Sequence, residues 1–315
     1  MSDERTLDLL EAKIEELRQL NSQDGIDLSC EIRTLERKLE RLRRDLFENL
    51  SDWERVKTAR HPKRPYALDY IERIFTSFYE LHGDRISGDD RAIIAGLARL
   101  EERRVAVVAQ QKGRTTAENK ERFFGMPRPQ GYRKARRVMT LAAQFGIPVI
   151  SLIDTPGAYP GLESEEQNIG GAIAESLRTM ATLRVPTIAV VIGEGGSGGA
   201  LAIGAADRVL MLENSIYTVI SPEGAAAILW KDKDRVKEAA AALRLTAPHL
   251  LSLGLIDGVV PEPLGGAHKD FERTAAALKR ELCRQLSELS ARPVEERLAA
   301  RAETYRSIGR FRTVE

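Results

Sequence analysis

Residues 186–204 read PTIAVVIGEGGSGGALAIG: an apolar run, a loop in which five glycines crowd around one glutamate and one serine, then an alanine-rich stretch. An uninterrupted apolar run of this length suits a strand buried on both faces, as in a parallel sheet covered by helices. The order strand, glycine loop, helix predicts an α/β layered fold. The loop admits three chemistries. From Gly193 it fits G-x-G-x-x-G, a dinucleotide fingerprint, with Glu213 twenty residues on as the ribose-binding acid. From Gly195 it fits G-x-S-x-G, a nucleophile elbow carrying Ser197. As bare backbone, the N–H groups of Gly198, Gly199 and Ala200 open a helix, where unpaired amides and the helix dipole favour an anion.

The flanking sequence supports the layered fold. AIIAGLARL (92–100) and RVAVVAQQ (104–111) predict a β-hairpin around the charged EERR. GYRKARRVMTLAAQFG (131–146) predicts a helix ended by Gly146, with Pro148 beyond it. PVISLID (148–154) is an apolar strand, TPGAYPG (155–161) a turn, and 164–183 a second helix. DRVLMLE (207–213) and IYTVIS (216–221) predict strands. Ser221 and Pro222 form a helix start with Ser221 as N-cap. IDGVVPE (256–262) is a last strand, and 269–308 is amphipathic and helical. Strand pairs preceding a helix fit a strict Rossmann alternation poorly. The stretch from Gly199 to Ala206 is also short for a crossover helix between parallel strands.

The first fifty residues differ. Leu7, Leu10, Ile14 and Leu17 recur at three- and four-residue steps, and after NSQDG so do Leu28, Ile32, Leu35, Leu39, Leu42 and Leu46. Two such stripes predict an antiparallel helical hairpin, packed on itself and on the main domain. The expected division is a hairpin over 1–52, a main domain over 53–290 and a helical tail over 291–315.

Lysine and arginine number 48 against 47 acidic residues, so net charge calls for no nucleic acid or other polyanion. Locally, residues 112–137 are basic; such a run is a solvated helix face or meets a phosphate-bearing ligand. Cys30 and Cys283 are the only cysteines, too few for a four-cysteine zinc site or a disulfide framework. The N-terminus lacks a signal-peptide pattern, and no apolar run has membrane-spanning length, so a soluble cytoplasmic protein is expected. A Ser197 nucleophile needs a base, and His249 and His268 are the downstream histidines. No Lys-Ser or Lys-Thr pair closes the loop, which excludes a P-loop. Spacing favours the anion site without deciding among the three.

Five motifs in this order go further: KGRTTAENKERFFGMPRPQGYRKA, SLIDTPGAYPG, VIGEGGSGGALAIG, SPEGAAAILWK and VVPEPLGGAHKD. Together with ARHPKRPYALDYI at 59–71 they closely resemble the alpha subunits of bacterial acetyl-coenzyme A carboxylase carboxyltransferases, over essentially the whole chain. The resemblance implies a crotonase-like (ClpP/crotonase) α/β fold, a spiral of ββα units behind the N-terminal hairpin. It implies carboxyl transfer from biotin on a biotin carboxyl carrier protein to acetyl-CoA, giving malonyl-CoA for fatty acid synthesis. A biotin carboxylase would consume the ATP, and a zinc-ribbon beta subunit would complete an α2β2 assembly with the active site between subunits. Gly198 and Gly199 would form the backbone oxyanion hole for the biotin ureido oxygen, with no metal on this chain. Gly195, Gly196, Ala158 and Tyr159 are the accompanying candidates for substrate binding. Where the family carries Arg-Gly-Gln after its acidic pair, this chain has Gln167, Asn168 and Ile169. The competing readings are a stand-alone crotonase-fold acyl-CoA hydrolase or hydratase, and a non-enzymatic assembly module.

Overall fold

The computed structural model describes residues 2–23, 28–47 and 50–309. The turn expected at NSQDG lies partly outside it, at Asp24 and Gly25, as do the side chains of Leu7 and Leu46 and residues 310–315. The chain divides into two compact units, 1–51 and 52–315.

In the first unit, α1 (Ser2–Gln23) and α2 (Ser29–Phe47) pair through the predicted stripes. Ile14, Ile32 and Leu39 are buried, with Leu10, Leu17, Leu28, Leu35 and Leu42 packed around them. Arg18 reaches Glu36 at 2.6 Å, and Asn21 accepts the Leu28 amide at 2.7 Å, which sets the two helices antiparallel.

In the second unit, α3 (Asp52–Ala59) and α4 (Ala67–Ile74) precede the edge strand β1 (Thr76–Glu80). Strands β2 (Ile93–Leu100) and β3 (Arg103–Gln110) form the predicted hairpin in unbroken register, from Ile93 opposite Gln110 to Leu100 opposite Arg103. After α5 (Thr116–Glu121) and α6 (Pro129–Gln144), β4 (Val149–Thr155) returns parallel to β3. Helices α7 (Leu162–Glu166) and α8 (Ile169–Thr182) then lead to β5 (Thr187–Gly196). Next come α9 (Ser197–Leu201), β6 (Arg208–Leu212) and β7 (Ile216–Thr218). The chain continues through α10 (Pro222–Trp230), α11 (Val236–Leu243), α12 (Ala247–Ser252) and β8 (Gly258–Val260), and ends in α13 (Phe271–Ser290) and α14 (Val294–Ser307).

The sheet order is β1-β2-β3-β4-β5-β6-β8, antiparallel up to β3 and parallel beyond it. Strand β7 lies off that path, parallel to the end of β5. Every residue of β4 and β5 is buried, which accounts for their uninterrupted apolar texture. One sheet face packs on Tyr70 and Ile74 of α4 and on Leu278, Leu282 and Leu286 of α13. The other packs on Ala135, Val138 and Met139 of α6, Met180 of α8, and Ala200 of α9.

The structure departs from the predicted elements at three places. The helix expected over 164–183 breaks at Asn168, whose φ of 62° is left-handed. Asparagine tolerates that conformation better than most side chains, and its Oδ1 also accepts the Gly171 amide at 3.0 Å. Asn168 thus stands where the family pattern has glycine, the other residue suited to this backbone. The amphipathic stretch 269–308 is two helices, because Pro293 interrupts the ladder. The return from β5 to the parallel β6 is made by α9 and the turn after it alone, so the shortness of that segment does not forbid a crossover. Among the described residues, no helix is long and apolar enough to cross a membrane.

Candidate active site

The glycine loop begins where three parallel strands end. At the end of β4, Asp154 Oδ1 accepts the Glu194 amide at 2.9 Å and the Lys112 ammonium at 2.7 Å. Gly193 makes room for that carboxylate, since a Cβ there would lie 2.6 Å from Oδ1. Lys112 also stands 3.6 Å from Glu194, whose other oxygen takes Arg60 at 2.6 Å. Arg60 continues to Glu223, in the first turn of α10, at 2.7 Å. Burial by itself lowers the Lys112 pKa, but Asp154 and Glu194 outweigh it, so the ammonium stays charged. Arg64 and Glu262 form a second buried pair nearby, and Arg64 Nε donates to the Ile192 carbonyl at 2.8 Å. Charges from five separated segments therefore hold the base of the loop.

Beyond this base, Gly195 and Gly196 finish β5 against Tyr217 and Thr218 of β7. Both glycines are buried. A Cβ on Gly195 would meet the Tyr217 ring at 2.8 Å, and one on Gly196 would meet the Pro156 carbonyl at 2.1 Å. Ser197 turns the chain with φ 55° and is exposed. Gly199 is pressed against the 157–158 backbone, where a Cβ would lie 2.4 Å from the Ala158 nitrogen. Gly198 differs: a Cβ there would have only Ile173 within 4 Å, at 3.8 Å. Nor does Gly198 have a positive φ. Among the described residues, neither the Gly198 nor the Gly199 amide donates to a protein acceptor.

Ala158 and Tyr159 lie on the turn that covers Gly199. Ala158 packs with Tyr132, Ile169, Ala172, Ile173 and Ala202. The Tyr159 amide donates to the Pro127 carbonyl at 3.0 Å, and its ring meets Phe123 edge-on at 5.1 Å. Phe123 lies in turn 4.0 Å under the Arg128 guanidinium. On the other side of Gly198 an apolar cavity of about 340 Å³ opens, with Ser197, Leu201, Tyr217 and Val219 among its walls. Ile173, Leu201, Tyr217 and Val219 are the surroundings that sequence reasoning missed. Their residue types are those of core positions, and nothing in the pattern separates them from the core.

The two side-chain readings of the loop lose their partners. Glu213, the acid of the dinucleotide pattern, accepts the Glu262 amide at 3.0 Å and ties β6 to β8. His249 lies 3.4 Å from Asp52 and 3.2 Å from the Thr246 hydroxyl. The His268 ring stacks on His61 at 3.8 Å, and burial with the neighbouring positive groups pushes its pKa down to about 4. Among the described residues, no hydrogen bond joins either histidine to Ser197.

The basic run is also committed within the fold. Arg133 pairs with Asp84 at 2.8 Å, Lys134 with Asp89 at 2.6 Å and Arg136 with Glu175 at 3.0 Å. Arg137 donates to the Gly83 carbonyl at 3.1 Å and the His82 carbonyl at 3.1 Å. Burial alone would raise the Asp84 pKa, but the amides of Gly88, Ile86 and Ser87, with Arg133, hold it well below the carboxylate range. The charges on α6 therefore pin the loop between β1 and β2. The earlier part of the run differs, since Arg114 and Lys120 are exposed, as a solvated face would be.

A mixed sheet with helices on both faces, ending in a loop that offers bare amides, defines a class. The fold is that of the crotonase-like carboxyltransferases: it is similar to transcarboxylase 12S, solved with methylmalonyl-coenzyme A and methylmalonic acid bound. That match has a TM-score of 0.61 and 22% identity, and covers 74% of this chain and 43% of the longer one. Residues 1–309 match the family described as acetyl co-enzyme A carboxylase carboxyltransferase-like, and the chain belongs to that family. It is 56% identical to the acetyl-coenzyme A carboxylase carboxyl transferase subunit alpha of Methylococcus capsulatus, over 95% of this chain and 94% of that one. It is 53% identical to the subunit of the same name from Geobacter metallireducens, over 96% and 95%.

Proposed function

We propose that this chain is the alpha subunit of an acetyl-coenzyme A carboxylase carboxyltransferase and acts in the formation of malonyl-CoA from acetyl-CoA. Biotin, attached to a carrier protein rather than to this chain, supplies the carboxyl group and a ring oxygen that gains negative charge as the group leaves. The amides of Gly198 and Gly199 hold that oxygen. One preorganised donor of this kind contributes on the order of 3 kcal/mol, about a hundredfold in rate.

The observation that carries the reading is Gly198. Neither its backbone conformation nor its neighbours require glycine, so its missing side chain leaves room for something outside the fold. Unpaired amides beside Ile173 and an apolar cavity suit a neutral ring bearing one polar oxygen. Gly195 and Gly196 support the donors from beneath, and Ala158 and Tyr159 wall the approach. A zinc-ribbon beta subunit supplies the acetyl-CoA side in an α2β2 assembly, and a biotin carboxylase recharges the carrier in the cytoplasm.

The test is reconstitution with the beta subunit and carboxybiotinylated carrier. Gly198→Val should cut malonyl-CoA formation at least about tenfold while the complex still assembles. Normal turnover in that variant would remove the loop from the chemistry. Hydrolysis of acyl-CoA by the isolated chain, insensitive to avidin, would favour the stand-alone hydrolase instead.

A further inference from the structure

Gly199 lies within α9, where its carbonyl would ordinarily accept the amide four residues on. That bond is not made. The Ile203 amide turns to the Ala200 carbonyl at 3.3 Å, and the Gly204 amide to Leu201 at 2.9 Å. The Gly199 oxygen is released from the helical ladder, yet it is buried and must be satisfied.

Two side chains from other elements take it. Gln110, the last residue of β3, donates through Nε2 at 2.8 Å, and Tyr132 of α6 donates through its hydroxyl at 3.2 Å. Both are fully buried. Gln110 Oε1 has no hydrogen-bond partner, so the contact with Gly199 is the polar interaction that accounts for a buried amide here. Burial, with Asp90 adding to it, raises the Tyr132 pKa well above its ordinary value, so the phenol keeps its proton and donates.

The consequence is geometric. The Gly198 carbonyl accepts the Ala202 amide at 3.0 Å, which orients the peptide plane carrying the Gly199 N–H. Gln110 and Tyr132 orient the next plane, which carries the Ala200 N–H. With both carbonyls held, the two planes that meet at the Gly199 Cα are fixed, and the Gly199 N–H cannot swing out of its direction.

We propose that Gln110 and Tyr132 are positioning residues for carboxyl transfer, restraining the Gly199 amide donor from the far side of its own Cα through the Gly199 carbonyl. The inference rests on the reading of Gly198 and Gly199 as oxyanion donors and deepens it. Neither side chain touches substrate, so their loss should appear in kcat and leave the KM for acetyl-CoA in place.

The experiment compares Tyr132→Phe, Gln110→Met and the double variant in the reconstituted complex, normalised to assembled complex, with Gly198→Val alongside. Each single variant should lower kcat about fivefold and the double about fiftyfold, with KM within about twofold of the parent, since a loosened donor forfeits part of its roughly hundredfold contribution. A merely structural role would lower the melting temperature and the yield of complex while kcat per complex held. If Gly198→Val is slow and the other variants turn over at the parental rate, the positioning role is overturned. If Gly198→Val is also unimpaired, the oxyanion reading fails and the positioning role with it. Should the double variant not assemble, the two single variants decide on the same readouts.

Discussion

Arg301 and Asp207 meet in a bidentate ion pair, Nε to Oδ1 and Nη2 to Oδ2, at 2.8 Å each. Arg301 also donates to the carbonyls of Met180 at 2.6 Å and Leu183 at 3.0 Å, while Asp207 accepts the Thr187 amide at 2.8 Å. Helix α14 is thereby fastened to the end of α8 and to the first residue of β5. Removing one partner of a buried pair leaves the other charge and several carbonyls unsatisfied. Arg301→Met should destabilise the unit by about 3–5 kcal/mol, read as a fall in denaturation midpoint. An unchanged midpoint would mean that the pair is not maintained in solution.

The adjacent glycines 198 and 199 should separate in their effects on stability. Ala at 199 would drive its Cβ into the 157–158 backbone, whereas Ala at 198 meets only ordinary contact distances. Gly199→Ala is expected to lower the melting temperature clearly, and Gly198→Ala to leave it near the parent or slightly higher, by narrowing the unfolded ensemble. Equal losses in the two variants would contradict the packing.

Asn168 provides a third comparison. Its left-handed φ should make Asn168→Gly nearly neutral, while Asn168→Ala loses both the tolerated conformation and the cap on Gly171, at a cost of about 1–2 kcal/mol. Chemical denaturation of the two variants side by side measures this.

His268 sets a pH dependence. Its folded-state pKa is pushed down to about 4 by burial first, then by His61, Lys269 and Arg64, from an unfolded value of 6.5. Between those values the unfolded chain binds the proton and the folded chain does not. Stability should therefore fall as pH drops from 6.5 towards 4, and this contribution should level off below that. His268→Phe keeps a ring against His61 and removes the titration, so its stability curve should be flatter across that window. Parallel curves would show that other groups carry the dependence.

Ser197 supplies a negative comparison for catalysis. No base is joined to its exposed hydroxyl among the described residues, so Ser197→Ala should retain turnover within about threefold, far from the loss of a nucleophile. A thousandfold drop in the reconstituted assay would restore the elbow reading.

Much of the fold could be read from local pattern. The β2–β3 hairpin, the end of α6 before Gly146 and the Ser221 cap with Pro222 all follow from strong short-range signals. Strand β1 left no such signal. It is an edge strand with mostly exposed or half-exposed residues, broken in register and bent by Ser77 at φ 51°. The break at Asn168 was hidden because Ile169, Ile173 and Leu177 keep helical spacing beyond it, although Gly170 and Gly171 are poor helix formers. At the site, spacing pointed to the glycines but could not distinguish those that serve packing, such as 195 and 196, from the one that does not. That distinction depends on Tyr217 and Pro156, which approach from distant parts of the sequence. The ion pairs of Arg133 and Lys134 were out of reach for the same reason, since their acidic partners Asp84 and Asp89 come from another element.

Half-buried Gly198 sits beside an exposed serine, so in the lone chain this part of the loop is open to water. Hydration keeps the local dielectric high, and a hydrogen bond offered there is weak. Covering the loop with a second surface would strip that water and sharpen the same donor without moving an atom of this chain. Rate would then be gated by assembly: the polypeptide stores an electrostatic potential that only enclosure releases.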